Sequence, residues 1–211
     1  MPELTFVNQD LDHVDQLVDL EARCFPELPP HELVSPETVQ LQVELFREGA
    51  FMVLDGDRVV GMASGVFVDY DIRRTQHRLV DVVGAWGVGN HDPDGDWYYG
   101  IDIAVDPDYR GRGVAKELYR LRKQVVIDHN KRGIIAGGVL PGYADHKHEM
   151  SAIDYVAKVV DGELVDPTLT AQLKSGFTVL GLIADYIDSP STDNWASFIT
   201  WFNLRFDPDA S

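Results

Sequence analysis

Tyr98-Tyr99-Gly100-Ile101-Asp102-Ile103-Ala104-Val105-Asp106-Pro107-Asp108-Tyr109-Arg110-Gly111-Arg112-Gly113-Val114-Ala115 is the stretch around which the chain is organised. It predicts a β-strand, a short turn at Asp106-Pro107-Asp108, a glycine-rich loop, and a helix from about Val114 to His129. A loop of this kind presents backbone N–H groups at a helix N-terminus, where the positive end of the dipole attracts phosphate. Gly111 and Gly113 let the backbone turn tightly and approach an anion. Arg110 and Arg112 add fixed positive charge with forked donors that match phosphate oxygens. From the residues alone, the stretch is a diphosphate cradle.

The bulk composition narrows the partners. The 211 residues, 45% of them hydrophobic, suffice for one sizeable core. Thirty-five acidic residues stand against 18 basic ones, a formal net charge of −17. Such a balance excludes a general nucleic-acid binder, which needs clustered Lys and Arg, and an anionic membrane surface as partner. Most of that charge serves solubility. Cys24 is the sole cysteine, so no intrachain disulfide forms. The N-terminus Met1-Pro2-Glu3-Leu4-Thr5 lacks a basic region followed by an apolar run, and no apolar stretch is long enough to span a bilayer. A soluble, cytoplasmic protein is expected.

Outward from the opening stretch, Leu4 to Val7 predicts a first strand, and Asp10 to Arg23 a helix with Leu11, Val14, Leu17, Val18 and Ala22 at helical spacing. Ser35 is placed to cap a second helix, with Pro36 in its first turn, running to about Arg47. Ala50–Leu54 and Val59–Val68 flank Asp55-Gly56-Asp57, a hairpin signal. Leu79 to Val83 is expected to extend this meander, and Gly84 to Asp96 to form a long loop. Gly133 to Leu140 predicts the strand that completes a strand–helix–strand crossover. Beyond Pro141-Gly142, Ser151 caps a further helix, Asp166-Pro167 starts another that ends at Gly176, and Phe177–Ala184 and Trp195–Leu204 close the chain as strands. No linker divides residues 1–211, so a single domain is expected.

The element order β–α–α–β–β–β–α–β–α–β–β, with its glycine loop after the fourth strand, resembles the GNAT superfamily of N-acetyltransferases. Arg110, Gly113 and Ala115 meet the superfamily's loop pattern, preceded by Ala104-Val105-Asp106-Pro107, and Leu173-Lys174-Ser175-Gly176-Phe177 matches its second signature, a short helix ending in Gly-Phe. The resemblance implies an α/β (α+β) fold: a central mixed, mostly antiparallel sheet of about seven strands with flanking helices and a β-α-β phosphate-binding crossover. The long segment from Pro141 to Pro167 is similar to GNAT domains fused to carbon–nitrogen hydrolases. The resemblance further implies acetyl-CoA as co-substrate, with no metal, and a small-molecule amine or peptide as acceptor. A homodimer is compatible with it.

Carried onto these residues, the resemblance gives Ile103, Ala104 and Val105 main-chain contacts to the pantetheine arm, and Arg110, Gly111, Arg112, Gly113, Val114 and Ala115 the diphosphate of coenzyme A. Direct attack by an amine needs a base for the ammonium proton and an acid for the leaving thiolate, and no nucleophilic Ser or Cys. Asp102, charged within an apolar strand, is the candidate base, with a hydrogen-bonded structural carboxylate as the alternative. The superfamily commonly has a Tyr four residues before the Gly of Gly-Phe, where this chain has Gln172. Tyr143 is the leading substitute acid, ahead of His146 and His148, against the alternative of a loop aromatic. His91, Asp92, Asp94 and Asp96 read as turn chemistry rather than a metal loop. Trp86, Trp97, Tyr70 and Tyr98 are candidates to line the acceptor side. A coenzyme A-binding module without turnover is the competing reading, and a nucleotide enzyme ranks below both, for want of a Gly-Lys-Ser/Thr loop.

Overall fold

In the computed structural model, which describes residues 4–209, the chain runs Thr5–Asn8 (β1), Val14–Cys24 (α1), Pro36–Phe46 (α2), Phe51–Asp55 (β2), Arg58–Val68 (β3), Leu79–Val83 (α3), Trp97–Val105 (β4), Val114–Asp128 (α4), Gly133–Val139 (β5), Ala152–Val160 (α5), Leu169–Lys174 (α6), Thr178–Ile183 (β6) and Ala196–Phe202 (β7). The strands form one mixed sheet in the order β1-β2-β3-β4-β5-β7-β6. Only β4 and β5 are parallel; the other neighbours are antiparallel. A parallel pair needs a crossover, and α4 supplies it.

Helices cover both faces. Val14, Leu17 and Leu20 of α1 and Val39 of α2 pack on Met52, Met62 and Ala104. Val114 and Leu118 of α4 pack on Phe51, Val53, Val60 and Ala63. Adjacent residues Ala104 and Ile103 thus serve opposite layers, as the pleat of β4 requires. Each such Leu or Val, fully removed from water, contributes about 1.5–3 kcal/mol.

The predicted caps form. Ser35 Oγ accepts from the Thr38 amide at 3.2 Å, and Ser151 Oγ accepts from the Asp154 amide at 3.2 Å. Gly176, at φ +83°, ends α6 as the sequence indicated. Two expectations shift. Asp10 caps a short 3₁₀ turn through the Asp12 and His13 amides, so the α-helix itself begins at Val14. Leu79–Val83 is a helix rather than a strand. The place it would take in the meander is filled, since β3 is already paired by β2 and β4, and β4 by β3 and β5. Val82 and Val83 bury instead against the sheet, and the Gly84 amide closes the turn on the Val80 carbonyl at 2.9 Å.

Candidate functional site

The parallel pair at the sheet centre separates. β4 and β5 share the rungs Trp97↔Gly133, Tyr98↔Ile134 and Tyr99↔Ile135, and no further ones. Both strands continue, β4 to Val105 and β5 to Val139, so a cleft opens between Gly100–Val105 and Ala136–Val139. Backbone groups along it are available to an extended ligand. At the end of β4 the chain passes through Arg110–Gly113 into α4. Gly111 (φ +73°) and Gly113 (φ +84°) hold left-handed backbone, and a Cβ on either would meet nothing within 4 Å. No side chain caps the 15-residue α4, so its first amides have no side-chain acceptor. Arg110 and Arg112 are both exposed. Arg110 Nε donates to the Val105 carbonyl at 3.2 Å, tying loop to strand, and the Arg112 guanidinium lies 4.8 Å from the Tyr109 ring centroid. Chemically, the arrangement offers amides and guanidinium charge at the loop and strand backbone along the cleft, donors and acceptors of the kind that suit an anion with an extended polar arm.

Beside the cleft, β3 and β4 lose register. Ala63 pairs with Ile103 and Gly65 with Gly100, leaving Ser64 opposite both Ile101 and Asp102. Arg122 of α4, 3% exposed, reaches under this bulge and donates from Nη2 to the Ser64 carbonyl at 2.5 Å and to the Asp102 carbonyl. On the other face Asp102 Oδ2 accepts from Ser64 Oγ at 2.7 Å, and Gln42 Nε2 donates to the same Oγ at 2.9 Å. Glu21 of α1, 6% exposed, accepts the Val34 amide. Burial pushes the Asp102 carboxyl above its ordinary range, against the opposing charge of Arg122 and the Ser64 hydroxyl. Burial, aided by the Asp102 charge and opposed by the Val34 amide, pushes Glu21 up to about 8. Gln42 Oε1, Asp102 Oδ1 and Arg122 Nε are buried with no partner.

The acetyltransferase (GNAT) family matches residues 14–140 of this chain. The chain belongs to that family. An uncharacterized N-acetyltransferase, YkwB of Bacillus subtilis (strain 168), is 28% identical over 96% of this chain and 90% of its own length. The probable hydrolase YhcX of the same organism is 31% identical over 92% of this chain, which spans only 38% of that longer protein. Among solved structures, the GNAT-like decarboxylase GphF in complex with isobutyryl-CoA superposes with a TM-score of 0.75 at 19% identity, over 94% of this chain and 98% of that one. Its likeness is one of fold.

Within this GNAT domain the predicted cradle residues lie together at the cleft mouth. Ala104 and Val114 turn their side chains into the core, so they offer main chain only, and Ile103 and Val105 are half-buried. Asp102 sits on the cleft strand, part-exposed as a residue although its Oδ1 is sealed. Tyr143 lies elsewhere in character: 4% exposed, packed on Tyr155 at 5.4 Å, with its hydroxyl donating to the Met150 carbonyl at 3.2 Å. Trp97 and Tyr98 are core residues, Tyr98 donating to the Gly49 carbonyl at 2.7 Å; the Trp86 side chain lies outside the described residues. His91 accepts the Phe67 amide at 3.2 Å and stacks on Phe46, and the Asp94 amide closes a turn on Asp92 Oδ1 at 2.9 Å. Burial raises the Cys24 thiol, with Arg110 opposing.

Sequence reasoning missed Glu21, Gln42, Ser64 and Arg122. Three of them carried a signal. Glu21 follows Leu17 and Leu20, Gln42 stands between Val39 and Phe46, and Arg122 between Leu118 and Val126, each on a buried helical stripe. A charged or amide side chain on such a stripe needs an internal partner. Gln172 is also placed: it is 4% exposed, its amide crowding Gly138 on the part of β5 that β4 has left, so closely that a Cβ there would sit 2.7 Å from Oε1. At the last shared rung, Tyr99 bonds His77 Nε2 at 2.7 Å and the Tyr186 hydroxyl at 3.1 Å.

Proposed function

We propose that this GNAT domain transfers an acetyl group from acetyl-CoA to the amine of a small molecule or peptide by direct attack. The observation that carries this reading is the parting of β4 and β5 directly beside the uncapped start of α4. Acetyl-CoA, when bound, supplies a thioester carbonyl activated toward nucleophiles. The amides of Gly111–Ala115 hold its diphosphate, with Arg110 and Arg112 adding charge. The main chain of Ile103–Val105 orients the pantetheine arm, and an N–H near Val105 polarises the carbonyl. Asp102 takes the proton from the acceptor ammonium. The thiolate takes its proton from solvent, or from Tyr143 if that hydroxyl leaves the Met150 carbonyl. A cationic acceptor suits the acidic chain.

The test is thiol release from acetyl-CoA over a panel of amines, alongside coenzyme A binding by calorimetry. Turnover with amines that are protonated in solution is expected, falling at low pH as Asp102 protonates. Binding without turnover across the panel supports the second reading, a coenzyme A-binding module, which the Gln172 position and the engaged Tyr143 hydroxyl favour. Loss of carbon dioxide from a carboxylated acyl-CoA, with no amine required, would replace amine transfer altogether.

A further inference from the structure

A chain of hydroxyl and imidazole groups stands at the fork between β4 and β5, and no step above uses it. Tyr99 lies on the last rung the two strands share, and Tyr186 sits between β6 and β7. Both pack in the layer that Leu41 of α2 joins, and the next residue of α2, Gln42, reaches Asp102 through Ser64. A Cβ on Gly137 would lie 2.3 Å from Tyr186 Cζ, so the hydroxyl end of that ring rests against β5 two residues beyond the last rung. From the fork the contacts run inward: Tyr186 Oη to Tyr99 Oη at 3.1 Å, and Tyr99 Oη to His77 Nε2 at 2.7 Å. His77 Nδ1 lies 3.0 Å from the Thr75 carbonyl and 2.8 Å from Tyr70 Oη. The hydrogens share one direction. A carbonyl only accepts, so Nδ1 carries the proton it donates to Thr75, and Nε2 is the acceptor. Tyr99 therefore donates to Nε2, and its oxygen accepts from Tyr186. Tyr70, half-buried, donates to the Arg74 carbonyl at 2.5 Å, which leaves its oxygen to accept from Nδ1. Burial holds the imidazole below its ordinary pKa, against the pull of the Thr75 carbonyl, so Nε2 is free to take a proton at neutral pH.

We infer that Tyr186, Tyr99 and His77 form a proton relay that drains the acceptor nitrogen, with Tyr186 meeting the nitrogen at the fork and His77 Nε2 as the terminal base. This rests on the amine-acceptor reading. Acylation strips an ammonium of two protons, and one leaves through Asp102 before attack. The freed nitrogen lone pair forms the C–N bond to the thioester carbon, and the carbonyl π pair moves to oxygen. The adduct nitrogen is still cationic. It gives a proton to Tyr186 Oη as Tyr186 passes its own to Tyr99 and Tyr99 passes its own to Nε2. The C=O bond re-forms, the C–S bond breaks with its electron pair on sulfur, and solvent protonates the thiolate. Asp102 and His77 then release their protons to solvent. Ammonium and thioester have become amide, thiol and one free proton, so atoms and charge balance.

The test begins with the unmutated protein, so that no variant need fold. Single-turnover acetylation at saturating acetyl-CoA, run in mixtures of H₂O and D₂O, is expected to give a bowed proton inventory, since several protons move together; a straight line overturns the relay. Imidazole ¹⁵N NMR should show His77 protonated at Nδ1 and bare at Nε2, and the reverse tautomer overturns it too. Tyr186→Phe and Tyr99→Phe keep the rings, and His77→Gln keeps an acceptor for Tyr99 that cannot bind a proton. Each should lower the single-turnover rate about 10²-fold with KM for acetyl-CoA unchanged, and the double Tyr→Phe variant should be no slower than either single one, because a broken relay is broken once. In His77→Ala, added imidazoles should restore the rate in proportion to their basicity. A structural His77 would be rescued by shape alone, whatever the base strength. Absence of turnover with every amine overturns the amine reading and removes the relay's proton source with it, whereas turnover without these signatures overturns the relay alone.

Discussion

Gly113 offers the sharpest test of where the anion sits, because its two substitutions separate folding from binding. Its backbone lies at φ +84°, ψ 2°, just before α4, and a Cβ there meets no atom of the protein within 4 Å. Gly113→Ala therefore costs only the left-handed conformation, about 1–2 kcal/mol. For a domain of this length that lowers Tm by roughly 2–8 °C. Gly113→Trp carries the same backbone cost, but the indole occupies the space in front of the α4 amides. If two charge-assisted hydrogen bonds from those amides to a diphosphate are lost, at about 1.5–3 kcal/mol each, coenzyme A binds roughly 10²–10⁴-fold more weakly. Calorimetric titration with coenzyme A measures the second effect and thermal unfolding the first. A folded Gly113→Trp variant that binds within about threefold of the unmodified protein would place the diphosphate elsewhere and refute the cradle.

Four other outcomes follow from the same geometry. Asp102→Asn should lower kcat/KM by about 10²–10⁴ and remove the acidic limb of its pH profile, which falls as Asp102 protonates; a retained limb reassigns the base. Because folding raises the Glu21 carboxyl from 4.5 to about 8, the folded state binds the extra proton between those values, and stability falls as pH rises through that window; denaturation midpoints of Glu21→Gln should be flatter across it. Arg122→Met removes the donor to two buried bulge carbonyls, those of Ser64 and Asp102, at a cost of about 2–6 kcal/mol in denaturant unfolding. Tyr143→Phe should cost about 1 kcal/mol through the lost bond to Met150 and leave thiol release unchanged, whereas a large rate loss would identify it as the acid.

Local signals determined much of this protein. Glycines at 111 and 113 permit the left-handed backbone found there, caps such as Ser35 and Ser151 act within three residues, and the periodicity of 114–128 marks a helix in isolation. These suffice for the element order, the loop and the family. Leu79–Val83 misled because a short apolar run is equally compatible with helix and strand, and only the filled sheet excludes the latter. The reaction chemistry was less legible still. Asp102 was conspicuous in sequence, but its environment comes from Glu21, Gln42, Ser64 and Arg122, lying 81, 60, 38 and 20 positions away and brought to one bulge by folding. A carboxyl's protonation is set by solvent exclusion and by charges a few ångströms distant, and neither quantity is written in the order of residues. Local order was enough for the glycine loop and the strand that leads to it, whereas the parting of that strand from its neighbour after Tyr99, and what surrounds Asp102 beyond that point, depend on the folded sheet.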